Sequence, residues 1–238
     1  MKRKLKIIII GGSSGMGLAS AQLLHSLGHE IVIASRSKEK LEKAVKIIGK
    51  VESHVLDVTN EKEIAQFFDS MGSFDHLVTS AADFVMGSFL KMTLDEAKQF
   101  FDSKFWGQYL AAKYAAPHLR AGRLHCVLLW CCRGQKPPSM NFSVGSAINA
   151  AIEGLTRALA LELSPLRVNA ICPGTVVTPV WDVVPEKERS IEFERTAKQL
   201  PVKRVGAPED IAQAVAYLIQ CGYATGSVVY VDGGARIV

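Results

Sequence analysis

The chain has 238 residues, of which 48% are hydrophobic and 21% charged. That supports a sizeable buried core and excludes a disordered or fibrous protein. Twenty-eight basic against 23 acidic residues leave a net charge of +5, partly in the basic tip Met1–Lys6. No basic helix is interleaved with aromatics, so the excess does not point to nucleic acid. The apolar run Ile7–Ile10 is shorter than a secretory core of about 7–15 residues or a membrane span of about 20, and a cytoplasmic protein is expected. Five cysteines, Cys126, Cys131, Cys132, Cys172 and Cys221, make no CxxC or cysteine–histidine spacing. Reduced thiols and no metal are therefore expected.

Strand and helix signals alternate along the chain. Leu5–Ile10 is rich in β-branched residues and suits a buried parallel strand. Leu18, Leu23, Leu24 and Leu27 then recur at helical spacing up to Gly28, a natural stop. Glu30–Ala34 reads as a second strand, Lys38–Ile48 as an amphipathic helix and Ser53–Leu56 as a third strand. The helix Glu61–Asp69 follows, capped by Thr59 or Asn60. His76–Thr79 is a fourth strand, and a long helical stretch runs from Thr93 to Leu119, broken near Pro117. Cys126–Trp130 is a fifth strand, Ser146–Leu163 a helix, Arg167–Cys172 a sixth strand, Asp210–Gln220 a helix and Ser227–Val231 a seventh strand. Strands separated by helices of this length predict right-handed crossovers and a parallel, doubly wound α/β sheet.

Between the first strand and first helix stands Gly11-Gly12-Ser13-Ser14-Gly15-Met16-Gly17. Glycines there permit a tight turn and close backbone approach, so that a pyrophosphate can rest on the helix N-terminus. A structural loop without ligand is the rival reading. The second strand ends in Ala34-Ser35-Arg36-Ser37. A dinucleotide fold that prefers NAD places an acidic residue here for the ribose hydroxyls. This chain offers a guanidinium, suited to a bidentate grip on a 2′-phosphate, with Ser13 and Ser35 as added hydroxyl donors. The reading is NADP(H), against a merely solvated Arg36. Asp57 and Val58 either hydrogen-bond and flank the adenine or serve the following helix as a cap.

The segments GGSSGMG, ASRS, LDV, AICPGTVVTP, AAIEGLTRALALEL, RVGAPEDIA and GSVVYVDGG together resemble the short-chain dehydrogenase/reductase family in order and spacing over almost the whole chain. The resemblance implies a single Rossmann-type domain over residues 1–238, with seven parallel strands and a nicotinamide cofactor. It also implies that Ser80, Ala81 and Ala82 face the nucleotide, and that Val176 and Thr178, after Pro173-Gly174, contact the nicotinamide carboxamide and phosphate. A homotetramer or homodimer is expected on the same ground, as is a substrate lid over residues 179–201. Within that lid Trp181, Val183, Val184, Ile191 and Phe193 offer an apolar wall that Phe84, Val85, Met86 and Phe89 would join; amphipathic helix packing explains the first set equally well.

The positions of the family's catalytic tetrad read differently here. Aligned on Ala150–Leu155, the family lysine falls on Asn149 and the tyrosine on Gly145; Cys132 stands for the serine and Lys104 for the asparagine. Gly145 can neither donate a proton nor hold one, and a missing general acid costs about 10²–10⁴ in rate. Candidate replacements are Lys104, Cys132, Arg133 and Asn149. Lys104 would donate a proton or stabilise developing negative charge, or else is a helix-surface lysine. Cys132 is an acid only if its environment lowers its pKa and otherwise a small filler. Arg133 would bind an anionic substrate group or lie in a surface loop, and Asn149 can hydrogen-bond the nicotinamide ribose. Three functions stay open: an NADPH-dependent reductase of a small carbonyl, imine or activated alkene with a rearranged site; a catalytically silent NADP(H)-binding sensor or partner protein; and a non-redox lyase or isomerase on the same scaffold.

Overall fold

The unbroken apolar, β-branched sequence of β1 (Lys6–Ile10) makes a strand that must be covered on both faces, and its last four residues are fully enclosed. A computed structural model of the chain describes residues 4–81, 83, 85, 87–128 and 141–238, with 121–128 as backbone only. The other strands among the described residues are β2 (Glu30–Ser35), β3 (Glu52–Val55), β4 (Phe74–Thr79), β5 (Leu119–Leu128), β6 (Arg167–Pro173) and β7 (Val228–Val231). They form one seven-stranded sheet in the order β3-β2-β1-β4-β5-β6-β7, parallel throughout. β1 lies between β2 and β4, pairing Ile9 with Ile33 on one side and Val78 on the other. The winding reverses there, and in open α/β sheets the crevice beyond the strand ends at such a reversal is where ligands bind.

The pleat of β1 divides the core. Ile7 and Ile9 pack with Leu24 of α1 (Gly15–Ser26) and with Val215 and Ile219 of α8 (Pro208–Gln220). Ile8 and Ile10 pack on the opposite face with Ile64 and Phe68 of α3 (Glu61–Met71) and Ala111 and Ala115 of α5 (Gly107–Ala115). Each such isoleucine or leucine contributes about 1.5–3 kcal/mol by leaving water. Of the two residues read as caps for α3, Asn60 takes the role: its side chain accepts from Lys62 N and Glu63 N. Ser37 caps α2 (Lys38–Ile48) in the same way.

Several of the expected bounds shift. The single helix read over Thr93–Leu119 is α4 (Leu94–Phe101), a π-helical turn over Asp102–Trp106, α5, and a 3-10 turn at Ala116–His118. Pro117 ends the helical run, and Leu119 opens β5 well before Cys126. Arg120, Gly122 and Arg123 hide that start from a pattern search, and Leu119 reaches the sheet by pairing with Phe74 before a register shift. The predicted strand end at Trp130 lies outside the described residues. Finally, α6 (Ser143–Glu162) starts earlier than read, and α7 (Glu186–Gln199) is a helix within the segment expected to be a lid.

Candidate functional site

The glycine-rich turn lies at the end of β1, where Gly11 N–H donates to Ala34 O at 2.7 Å. Gly11 and Gly17 are required by close packing. A Cβ on Gly17 would lie 2.2 Å from Gly11 O and 2.4 Å from Ser80 Oγ, and one on Gly11 would lie 2.5 Å from Ala81 N. Ser80 itself donates to Ile10 O at 3.2 Å. The loop after β4 is thus seated on the turn, which brings Gly11, Gly17, Ser80 and Ala81 together; Ala82 falls outside the described residues. The first turn of α1 has no side-chain cap, since Ser14 at the N-cap makes no such bond, leaving the helix's leading N–H groups to other acceptors.

The loop after β6 closes the cleft from the other side. Pro173 ends the strand, and Gly174 packs so tightly on Asp232 that a Cβ would meet its Cα at 2.7 Å. Val176 is buried, and its carbonyl accepts from Trp181 Nε1 at 2.9 Å. Thr178 lies over Gly15, 3.4 Å from where a Cβ would stand. Some of the buried polar atoms without a hydrogen-bond partner belong to the segments that border this cleft. Among the described residues Ser35 Oγ, Thr79 Oγ1, Asn149 Nδ2 and Thr178 Oγ1 are such atoms. Native chains rarely bury a polar atom unpaired, and three of these four belong to residues expected to meet a nucleotide.

Arg36 and the Asp57–Val58 pair resolve less simply. Arg36 is half-exposed and its guanidinium is gripped by Asp83, which holds it above its ordinary pKa. Asp57 Oδ1 accepts from Thr59 N and Oγ1 at 2.9 and 2.8 Å, so its carboxylate serves the approach to α3. Val58 packs on Gly107, where a Cβ would meet its Cγ2 at 2.9 Å. Ser13 borders the turn, half-buried.

Lys104 is not a surface residue. The π turn widens the helix by one residue, so that both Ser103 and Lys104 point inward, Lys104 with 1% exposure. Such turns are frequent at functional sites. Lys104 Nζ donates to Asn149 Oδ1 of α6 at 2.7 Å and lies 5.5 and 5.9 Å from the ring centres of Phe100 and Phe142. This places a strong donor against two π faces and an amide. One helical turn before Asn149, Gly145 lies beneath Phe142: an added Cβ would come within 2.2 Å of its ring. Cys132 and Arg133, like Phe84 and Met86, lie outside the described residues, so the structure unites Lys104 with Asn149 but does not bear on the other two catalytic candidates.

Sequence reasoning missed Phe142, Phe100, Ser103 and Asp83. No local pattern marks any of them; the one clue was Gly145, a helical residue without a side chain beside a candidate site. Gly145→Ala is expected to destabilise the fold by about 1–3 kcal/mol through overpacking, read from the urea midpoint. Gly145→Ala combined with Phe142→Leu should recover most of that loss. An unchanged midpoint in the single variant would contradict the contact.

In the apolar wall, Trp181 meets Phe193 edge-on at 5.5 Å between ring centres. Val183 and Ile191 face solvent, as does Phe89. No residue of α7 is buried.

The parallel sheet reversing at β1, with a glycine turn and an uncapped helix at the reversal, defines a Rossmann-type α/β protein. The chain belongs to the short-chain dehydrogenase/reductase family, and a family model described as enoyl-(acyl carrier protein) reductase matches residues 11–236. The short-chain dehydrogenase/reductase ATR9 of Stachybotrys chlorohalonatus is 31% identical over 98% of this chain and 97% of its own. A crystal structure of a small-chain dehydrogenase in complex with NADPH is 36% identical, covers 99% of this chain and 100% of its own, and superposes with a TM-score of 0.86. MalC, a reductase/Diels–Alderase from Malbranchea aurantiaca, is 27% identical over 99% and 98% of the two chains, with a TM-score of 0.90.

Proposed function

We propose that the chain is an NADPH-dependent oxidoreductase acting on a small, partly apolar carbonyl, imine or activated alkene through a catalytic site rearranged around Lys104 and Asn149. The observation that carries this reading is the buried Lys104–Asn149 hydrogen bond. Asparagine and lysine are both members of the family tetrad, and here each stands where the family has the other. The positions of the tyrosine and serine hold Gly145 and Cys132.

The cleft fits a nicotinamide dinucleotide. Backbone N–H groups of Gly15, Met16 and Gly17 would meet the pyrophosphate, with Ser13 and Ser14 beside them. Arg36 and Ser35 would take the 2′-phosphate, and Asp57, Val58, Ser80 and Ala81 would flank the adenosine. Asn149 Nδ2 would reach the nicotinamide ribose, and Thr178 Oγ1 and Val176 the carboxamide end. The unpaired buried atoms of Ser35, Asn149 and Thr178 support this assignment. When bound, the reduced dinucleotide supplies the hydride.

The chain's part is then electrostatic. Lys104, fixed by Asn149 and flanked by two aromatic rings, offers N–H donors where negative charge develops on the substrate as it accepts hydride. An iminium substrate, already cationic, needs no proton donor at all. Residues 179–201 would lie over the substrate end, with Trp181 and Phe193, which meet edge-on, as their apolar part.

A second reading, a silent NADP(H)-binding protein, draws support from Phe142, which fills the space above Gly145. One experiment separates the two. Calorimetric titration with NADPH, NADP⁺, NADH and NAD⁺ is expected to show micromolar, NADPH-preferring binding. A panel of carbonyls, imines and enones should then yield NADP⁺ one-for-one with product. Binding without turnover on the whole panel would favour the silent protein; binding of none of the four nucleotides would overturn both readings.

A further inference from the structure

The guanidinium at the end of β2 is already occupied by a carboxylate of the chain itself. Arg36 Nη2 meets Asp83 Oδ1 in a very close contact, and Nη1 meets Oδ2 at 3.4 Å. This is the end-on, two-pronged geometry in which a guanidinium binds phosphate or carboxylate. Asp57 adds a second negative charge near Arg36. Asp83 is not a stray loop residue. Its backbone N–H donates to the buried Ser103 Oγ at 3.4 Å, and Ser80, three residues before it, is seated on the glycine turn.

A 2′-phosphate arriving at Arg36 therefore finds the prongs taken. Binding end-on, it must displace Asp83. Binding along the Nε edge, it lies beside a fixed carboxylate of its own sign. A ribose with a plain 2′-hydroxyl meets neither difficulty, because it can donate to the Asp83 carboxylate while Arg36 stays paired. We propose that Asp83 is a specificity-determining residue, an internal anion that competes with the 2′-phosphate for Arg36 and so weakens the preference for NADP(H) over NAD(H). The inference rests on the nucleotide cleft proposed above.

The test is calorimetric titration of the wild type, Asp83→Asn and Asp83→Ala with NADPH, NADH and adenosine 2′,5′-bisphosphate, which carries the phosphate without nicotinamide. Breaking an exposed ion pair is a modest cost, so both variants are expected to bind NADPH and the bisphosphate roughly three- to tenfold more tightly. Affinity for NADH should change by less than about twofold. In an Arg36→Ala background the Asp83→Asn substitution should lose most of its effect, the signature of a coupled pair.

Equal NADPH affinity in wild type and both variants would overturn the inference and leave the cleft assignment standing. So would parallel tightening toward NADH, which indicates a general charge effect, or weaker NADPH binding, which would make Asp83 a positioning residue for Arg36. Failure of every protein to bind any of the three probes would instead remove the nucleotide reading, and the role of Asp83 with it.

Discussion

Lys104→Met is expected to lower kcat by about 10²–10³-fold, the range seen when one charge-stabilising donor is removed from an active site, with NADPH affinity held within about threefold. Methionine keeps the length and bulk of the side chain, so Phe100 and Phe142 retain a neighbour and the fold should survive. Removing a buried ammonium lifts its desolvation cost, while an unpaired Asn149 Oδ1 costs about 1–3 kcal/mol. These opposing effects predict a small change in urea midpoint beside a large change in turnover. A urea titration reads the first, and stopped-flow measurement of NADPH oxidation under single-turnover conditions, with calorimetry for binding, reads the second. Turnover within about threefold of wild type would remove Lys104 from the reaction. A loss confined to NADPH affinity would make it part of the nucleotide cleft instead.

Arg36→Ala should weaken NADPH binding by roughly 10- to 100-fold, as expected for the 1.5–3 kcal/mol of hydrogen bonds to a charged group, and leave NADH binding within about threefold. Arg36 is exposed and packs into no core cluster, so the melting temperature should move little. The measurement is calorimetric titration with the two reduced nucleotides side by side. A parallel loss for both would mean that Arg36 supports the cleft wall; no loss for either would leave it a surface residue paired with Asp83.

Much of this architecture is legible in the sequence because it follows from local rules. Ile7–Ile10 is apolar without alternation, which only a strand covered on both faces can use, and Gly11 to Gly17 follow at the spacing that a strand-to-helix turn requires. Lys38–Ile48 is a helix with the boundaries its pattern predicts. What escaped the sequence depends on contacts between distant segments. Nothing near Leu119 announces a strand, because its start is set by Phe74 on the neighbouring strand. The π turn at Asp102–Trp106 leaves no compositional mark, yet Ser103 and Lys104 are both buried within it. Alignment brought Lys104 and Asn149 to notice singly; their hydrogen bond joins residues 45 positions apart. The Arg36–Asp83 pair likewise spans 47 positions, and a pattern read along the chain cannot see it.

The absence of any buried residue in α7 sets its place in the hierarchy of local unfolding. A helix opens at a free energy governed by the apolar surface it must surrender and the backbone bonds it must expose. The glutamates, lysines and arginines of α7 would expose little apolar surface on opening, while β1, β4 and β6 would surrender enclosed strands. By that measure α7 is expected to open at a lower free energy than the strands of the sheet, which hydrogen exchange of its amides would read.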